Sequence, residues 1–173
     1  MVKKIALLLL LVGGQQCCYA QFTRAKLQAT GLTCALCSKA IHQALGKLSF
    51  VQEVSAEIKE SSFTITAREG ESVDPDQLRI AVEEAGFFIG GLYLYPKQDT
   101  SFVVSEALFK TGNTYYFLFG ALHQEDTDAY QVLHEKFLTQ KAFLKLSRGA
   151  IGDRLRQQPS TVEGSTIYYL KSQ

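Results

Sequence analysis

Two cysteines three positions apart, Cys34 and Cys37, lie in the run Gly31-Leu32-Thr33-Cys34-Ala35-Leu36-Cys37, just before a helical pattern. Sulfur donors at that spacing can close on one ion. Thiolates are the ligands soft metals prefer, and the free N–H groups and positive dipole end at a helix start favour the anionic form of cysteines placed there. Two thiolates alone satisfy monovalent copper or mercuric ion, whereas zinc normally takes four ligands. Copper is the better match on biological abundance. The same spacing also suits a thiol-disulfide redox pair, or two small residues held as an inert disulfide. A thioredoxin-like redox fold would need a cis-proline after later strands, and Pro75, Pro96 and Pro159 do not fall there.

Other candidate ligands read less sharply. His42 lies five residues beyond Cys37, an offset that turns it away from the sulfurs, so it reads as a solvated helix residue. His123, Glu125, Asp126 and Asp128, with His134 further on, could supply harder donors. Their spacing matches no ligand rule, and a solvated loop is the simpler reading. Tyr115, Tyr116, Phe117 and Phe119 could form a base-stacking platform on an OB-like fold. The absence of a basic surplus argues against nucleic acid, and they read as core with one partner-binding face.

The elements that must position the cysteines begin after a leader. Lys3 and Lys4 precede an apolar run from Ile5 to Val12, and Cys18-Tyr19-Ala20 has small residues at both ends. This is a signal-peptide pattern over residues 1–20, cut after Ala20, and it predicts a periplasmic or secreted protein. The run is shorter than the roughly 20 apolar residues a bilayer span needs, so no stable membrane insertion is expected after cleavage. Lipid attachment at Cys17 or Cys18 is disfavoured, because Gly14-Gln15-Gln16 lacks the small-residue pattern. Cleavage leaves Cys34 and Cys37 as one pair, which is no disulfide framework, and moves the formal charge from +1 to −1 by removing Lys3 and Lys4.

From Phe22 to about Tyr95 the pattern is strand, helix, strand, strand, helix, strand. Ala25, Leu27 and Ala29 alternate with polar neighbours, giving a half-buried strand that delivers the chain to the cysteines. Ile41, Leu45 and Leu48 recur at helical spacing. Val54, Ala56 and Ile58, then Phe63, Ile65 and Ala67, predict a hairpin turning near Glu60-Ser61-Ser62. Asp74-Pro75 starts a second helix whose buried stripe is Leu78, Ala81, Val82 and Ala85, and Gly86 stops it. Phe88 to Tyr95 is a final strand ended by Pro96. The order predicts a split βαβ sheet of four antiparallel strands with two helices on one face, an α+β ferredoxin-like domain.

Residues 22–95 resemble the heavy-metal-associated domain of copper chaperones, copper-transporting ATPases and periplasmic mercury-binding proteins. The resemblance rests on Gly31, Thr33, Cys34 and Cys37 of the loop and on Glu83-Glu84-Ala85-Gly86-Phe87 near the end. It implies that Cys34 and Cys37 bind the metal, that Leu32, in place of the usual methionine, is an apolar tether under the loop, and that Phe87 lies near the sulfurs and shields them. It also implies a protein donor or acceptor of metal, a transporter or a cuproprotein, and no catalysis.

Residues 97–173 predict a second, β-rich domain. Phe102, Val104 and Leu108 lead to a turn at Thr111-Gly112-Asn113, and Tyr115 to Phe119 return as a strand. Tyr130 to Leu138 reads as another strand, Thr139 as the N-cap of a helix over Ala142, Phe143 and Leu146, Gly152 to Gly164 as loop, and Ile167 to Leu170 as a last strand. A small OB-like barrel fits this order. The whole reads as an exported carrier or buffer of monovalent copper, with a mercury-scavenging periplasmic binding protein or a thiol-disulfide oxidoreductase using Cys34 and Cys37 as the alternatives, and with the second domain a docking or structural module.

Overall fold

The computed structural model describes residues 22–32, 34–97, 108–111, 114–119 and 129–173. The leader, the strand start at Phe102 and Val104, the turn at Gly112-Asn113 and the acidic loop from His123 to Asp128 lie outside the described residues.

The first half follows the sequence pattern closely. Strand β1 (Phe22–Thr30), helix α1 (Ala35–Leu45), β2 (Val51–Glu57), β3 (Ser62–Ala67), α2 (Pro75–Glu84) and β4 (Phe88–Pro96) appear in the predicted order. Their sheet order is β2-β3-β1-β4, with every pairing antiparallel. The alternation in β1 places Ala25 and Leu27 in the core with Ile41 and Leu45 of α1 and Leu78 and Val82 of α2. Asp74 caps α2 by accepting the Gln77 N–H at 3.1 Å, Pro75 fills the first helical position, and Gly86 takes the positive φ that ends the element. Burial along β2 departs from expectation. Val54 is half-buried and Ala56 exposed, while Ile58 is 62% exposed in a 3-10 turn (Ile58–Glu60). As the sheet's outer strand, β2 has a neighbour on one side only, and its second half lacks cover.

The second half does not form an OB-like barrel among the described residues. Strands β5 (Leu108–Thr111), β6 (Thr114–Phe119), β7 (Tyr130–Val132) and β9 (Ser165–Ser172) extend the first sheet in the order β4-β7-β9-β6-β5, and β8 (Thr161–Val162) pairs with β9. The join is narrow: Tyr93 and Leu94 of β4 face Gln131 and Tyr130 of β7. β4 would otherwise present a free edge, and β7 satisfies part of it. The β5–β6 hairpin is present as expected, but β6 pairs with β9 in parallel, a long-range pairing that alternation cannot reveal. The segment read as strand to Leu138 is strand only to Val132. His134 Nδ1 then accepts the Lys136 N–H at 3.2 Å and starts a 3-10 turn (Glu135–Phe137). Thr139 caps α3 (Gln140–Ser147) as predicted, whereas the Gly152 to Gly164 stretch contains most of α4 (Ala150–Gln157) as well as β8.

An aromatic seam ties the halves. The Phe22 ring meets Tyr116 edge-on at 5.1 Å and also packs against Phe109 and Tyr130. Tyr168 continues the seam between Tyr116 and Phe137, beside His134. On the other side of β6, Phe117 and Phe119 join Tyr169 in a second cluster with Leu146, Ile151 and Leu155 of the helices. The β6 aromatics are thus used for packing on both of its faces. Burial drives the Tyr116 and Tyr168 hydroxyls far above their usual range, so both stay neutral.

Burial also pushes the His134 pKa below its ordinary 6.5, with Glu135 and Asp76 pulling upward and Lys136 and Arg79 downward. The unfolded chain then takes up its proton first as pH falls. Stability is therefore full above about 6.5 and declines from there down to the folded-state pKa. Thermal melts should show a falling Tm over that interval, and His134→Asn, which keeps an acceptor for the Lys136 N–H, should shrink the fall. An equal fall in both proteins would assign it to other groups.

Candidate metal centre

The cysteines stand where strand becomes helix. β1 ends at Thr30, and Gly31 (φ +83°) turns the chain in a conformation that costs a side-chain-bearing residue about 1–2 kcal/mol. Leu32 is half-buried against the main core and anchors the turn, the tether role the resemblance implied. Cys34 is the N-cap of α1, in extended backbone at φ −156°, ψ 164°. Its carbonyl accepts from the N–H groups of Cys37 at 3.1 Å and Ser38 at 3.4 Å. Cys37 is not in a loop before the helix, as the sequence had indicated, but is the third residue of its first turn.

This placement brings the sulfurs together. Cys34 Sγ and Cys37 Sγ are 3.1 Å apart, neither is in a disulfide, and Cys34 is exposed while Cys37 is partly covered. At that distance one sulfur donates and the other accepts. An N-cap residue is usually Ser, Thr, Asp or Asn, whose oxygen accepts an N–H of the first turn. Cys34 makes no such side-chain bond, and the first turn of α1 holds no acidic side chain. The positive end of the helix therefore faces the two sulfurs without a competing carboxylate.

No other predicted donor among the described residues joins them. His42 Nε2 is 3.0 Å from the Val54 carbonyl, so the ring ties α1 to β2; it is exposed, but it has a role beyond the solvated residue expected. His134 belongs to the aromatic seam. Among the described residues no group of three or more His, Cys, Asp or Glu side chains is placed to hold an ion. Phe87 is half-buried and packs on the main core. Two features escaped the sequence reading. Ser38, directly after Cys37, is buried under the helix start, and Leu36, between the cysteines, is 76% exposed. A helical wheel begun at Cys34 separates these two, but the reading had treated the segment as loop.

Residues 26–88 match the family model of the heavy-metal-associated domain, so this part of the chain carries that domain. The match takes in both cysteines. Among solved structures the chain is similar to the N-terminal domain of PacS from Synechocystis PCC6803, at 27% identity over 38% of this chain and 91% of that one, with a TM-score of 0.34. It is also similar to the yeast copper transporter domain CCC2A, solved in apo and Cu(I)-loaded states, at 23% identity over 38% and 88% of the two chains and a TM-score of 0.34. Oxidised MerP from Ralstonia metallidurans CH34 is a third, at 21% identity over 43% and 96%, with a TM-score of 0.36. No curated protein matches the chain.

The turn at Gly31 yields a direct test. Nothing lies within 4 Å of a Cβ built there, so Gly31→Ala should act through backbone strain alone. We expect it to cost about 1 kcal/mol in urea unfolding, and Gly31→Asn, which tolerates a positive φ, to cost less. A neutral Gly31→Ala would mean that the turn relaxes freely.

Proposed function

We propose that this protein is an exported carrier or buffer of monovalent copper that holds the ion between Cys34 and Cys37 and hands it on by ligand exchange. The observation that carries the reading is the pair of cysteine sulfurs 3.1 Å apart, not joined in a disulfide, at the exposed start of α1, with no third ligand converging among the described residues. At a metal–sulfur bond of about 2.3 Å, linear binding needs sulfurs about 4.6 Å apart. Cys34, exposed and without a capping bond, is the side chain free to make that opening. Two-coordinate copper then leaves its flank open. An incoming thiolate from a partner can add to form a three-coordinate bridge as one Cu–S bond to this protein breaks, and a second partner thiolate then replaces the remaining one, so the ion moves on without being released to water. Only metal–sulfur bonds exchange and no covalent bond within either protein is made or broken, so the act is transfer and not catalysis.

The leader over residues 1–20 supports export to the periplasm or beyond, where the working partner is a transporter or a cuproprotein with its own thiolates. No helix among the described residues is long and apolar enough to cross a membrane. We further propose that residues 21–96 hold the whole site and that residues 97–173 dock or brace it.

Three measurements follow. The reduced protein should bind one Cu(I), displaceable by competition with mercuric ion, and Cys34→Ser or Cys37→Ser should weaken it by orders of magnitude. The fully oxidised protein should bind none until reductant is added, since a disulfide removes both thiolates. Unchanged affinity in both variants, or equal uptake by the oxidised form, would sink the two-thiolate site. A chain ending at Lys97 should show sulfur-only coordination by copper absorption spectroscopy, like the full chain. It should melt at a lower temperature, because Phe22 loses Tyr116 and Tyr130. Nitrogen donors seen only in the full chain would place a ligand in the second half.

A further inference from the structure

The C-terminal half and the strand that feeds the cysteine loop meet the same bare stretch of backbone, at Gly90 of β4. A Cβ built on Gly90 of β4 would lie 2.6 Å from Thr30 Cγ2 and 3.2 Å from Thr139 Cγ2. The first distance is a clash and the second is tight. Gly90 has no positive φ, so its conformation does not call for glycine; the room does. Two methyl groups from opposite ends of the chain converge on the space a side chain would fill.

Both methyls are held in place. Thr30 faces Phe88 across the β1–β4 ladder, and its Oγ1 donates to the Phe88 carbonyl at 3.2 Å. Thr139 is fixed by its capping work. Its Oγ1 accepts from the Ala142 N–H at 3.2 Å and its carbonyl from the Phe143 N–H at 2.9 Å. Thr30 is also the last residue of β1, followed at once by Gly31 at φ +83° and, three residues later, by Cys34. A sharp turn converts a small displacement of Thr30 into a swing of the loop.

We propose that Gly90 and Thr139 are positioning residues for the thiol pair: the Thr139 methyl, seated over Gly90, clamps Thr30 and so sets where the chain leaves β1 for Cys34. This gives the C-terminal half a task at the site without lending it a ligand. The proposal rests on Cys34 and Cys37 being the working pair.

The test reads the thiols without any metal. The equilibrium of the full-length protein with glutathione redox buffers gives the stability of the Cys34–Cys37 disulfide, and circular dichroism checks the fold. Gly90→Ala should shift that equilibrium constant by about tenfold, which corresponds to about 30 mV for this two-electron couple. Thr30→Ser in the same background, which keeps the hydroxyl and removes the clashing methyl, should bring the constant back to within about twofold of the parent, and Thr139→Ser should bring it part of the way. Should Gly90→Ala fail to fold, Thr30→Ser and Thr139→Ser alone remain informative. Each loosens the clamp and should shift the constant, whereas Thr66→Ser on β3 should not. A folded Gly90→Ala with an unshifted constant, a shift that neither serine reduces, or single serine variants no different from the Thr66 control would overturn the proposal. A parent protein that binds no copper would remove the carrier reading and leave this result standing.

Discussion

Strand β1 is hydrogen-bonded along both edges, to β3 and to β4, and the rest of the molecule is arranged around that double pairing. Because side chains alternate between faces, a slip of one residue would carry Ala25 and Leu27 out of the core, so the register is fixed from both sides. The end of β1 is therefore a fixed point in space. Gly31 and Leu32 convert that point into the start of α1, whose Ile41 and Leu45 are locked into the same core. Two anchored elements joined by a short turn leave the cysteines little choice of position. The beginning of β1 is anchored too, since Phe22 opens the aromatic seam to the second half.

The sulfur separation places the pair between two chemical outcomes. A disulfide needs about 2.05 Å between sulfurs, and linear coordination of a soft ion about 4.6 Å. From 3.1 Å, either is reached by a modest movement of the exposed Cys34 side chain. Cys37 is held inside the first helical turn, its N–H donating to the Cys34 carbonyl at 3.1 Å. On the carrier function proposed above, the supply of metal and oxidant would decide between the two, with the protein contributing a pair that is close to both.

Much of the first half was legible because its signals are local. Alternation in β1 and β3, the Asp74-Pro75 start and the Gly86 stop of α2 each depend on residues a few positions apart. The second half depends on partners far away. That β9 lies between β7 and β6, and parallel to β6, is written nowhere near Ile167. α4 was hidden by its glycines and charges. Gly149 is its N-cap, and Gly152 is required by packing, since a Cβ there would meet the Leu146 and Ser147 carbonyls at 2.5 Å. The cysteine pair itself was legible from spacing, but Cys37's place inside the helix and the contact of Thr139 over Gly90 were not, as both depend on the packed fold.

The position of β9 has a consequence for how the chain comes to be folded. β7 and β6 do not pair with each other; each pairs with β9, which follows them both in sequence. Until residues 165–172 have been made, the middle of that part of the sheet is missing, and the strands flanking it keep unpaired edges. Parallel pairing across such a span closes slowly, because a long loop must be ordered before the contacts form. A chain emerging from the ribosome can complete the first ladder early, yet it must leave the second unfinished to the end.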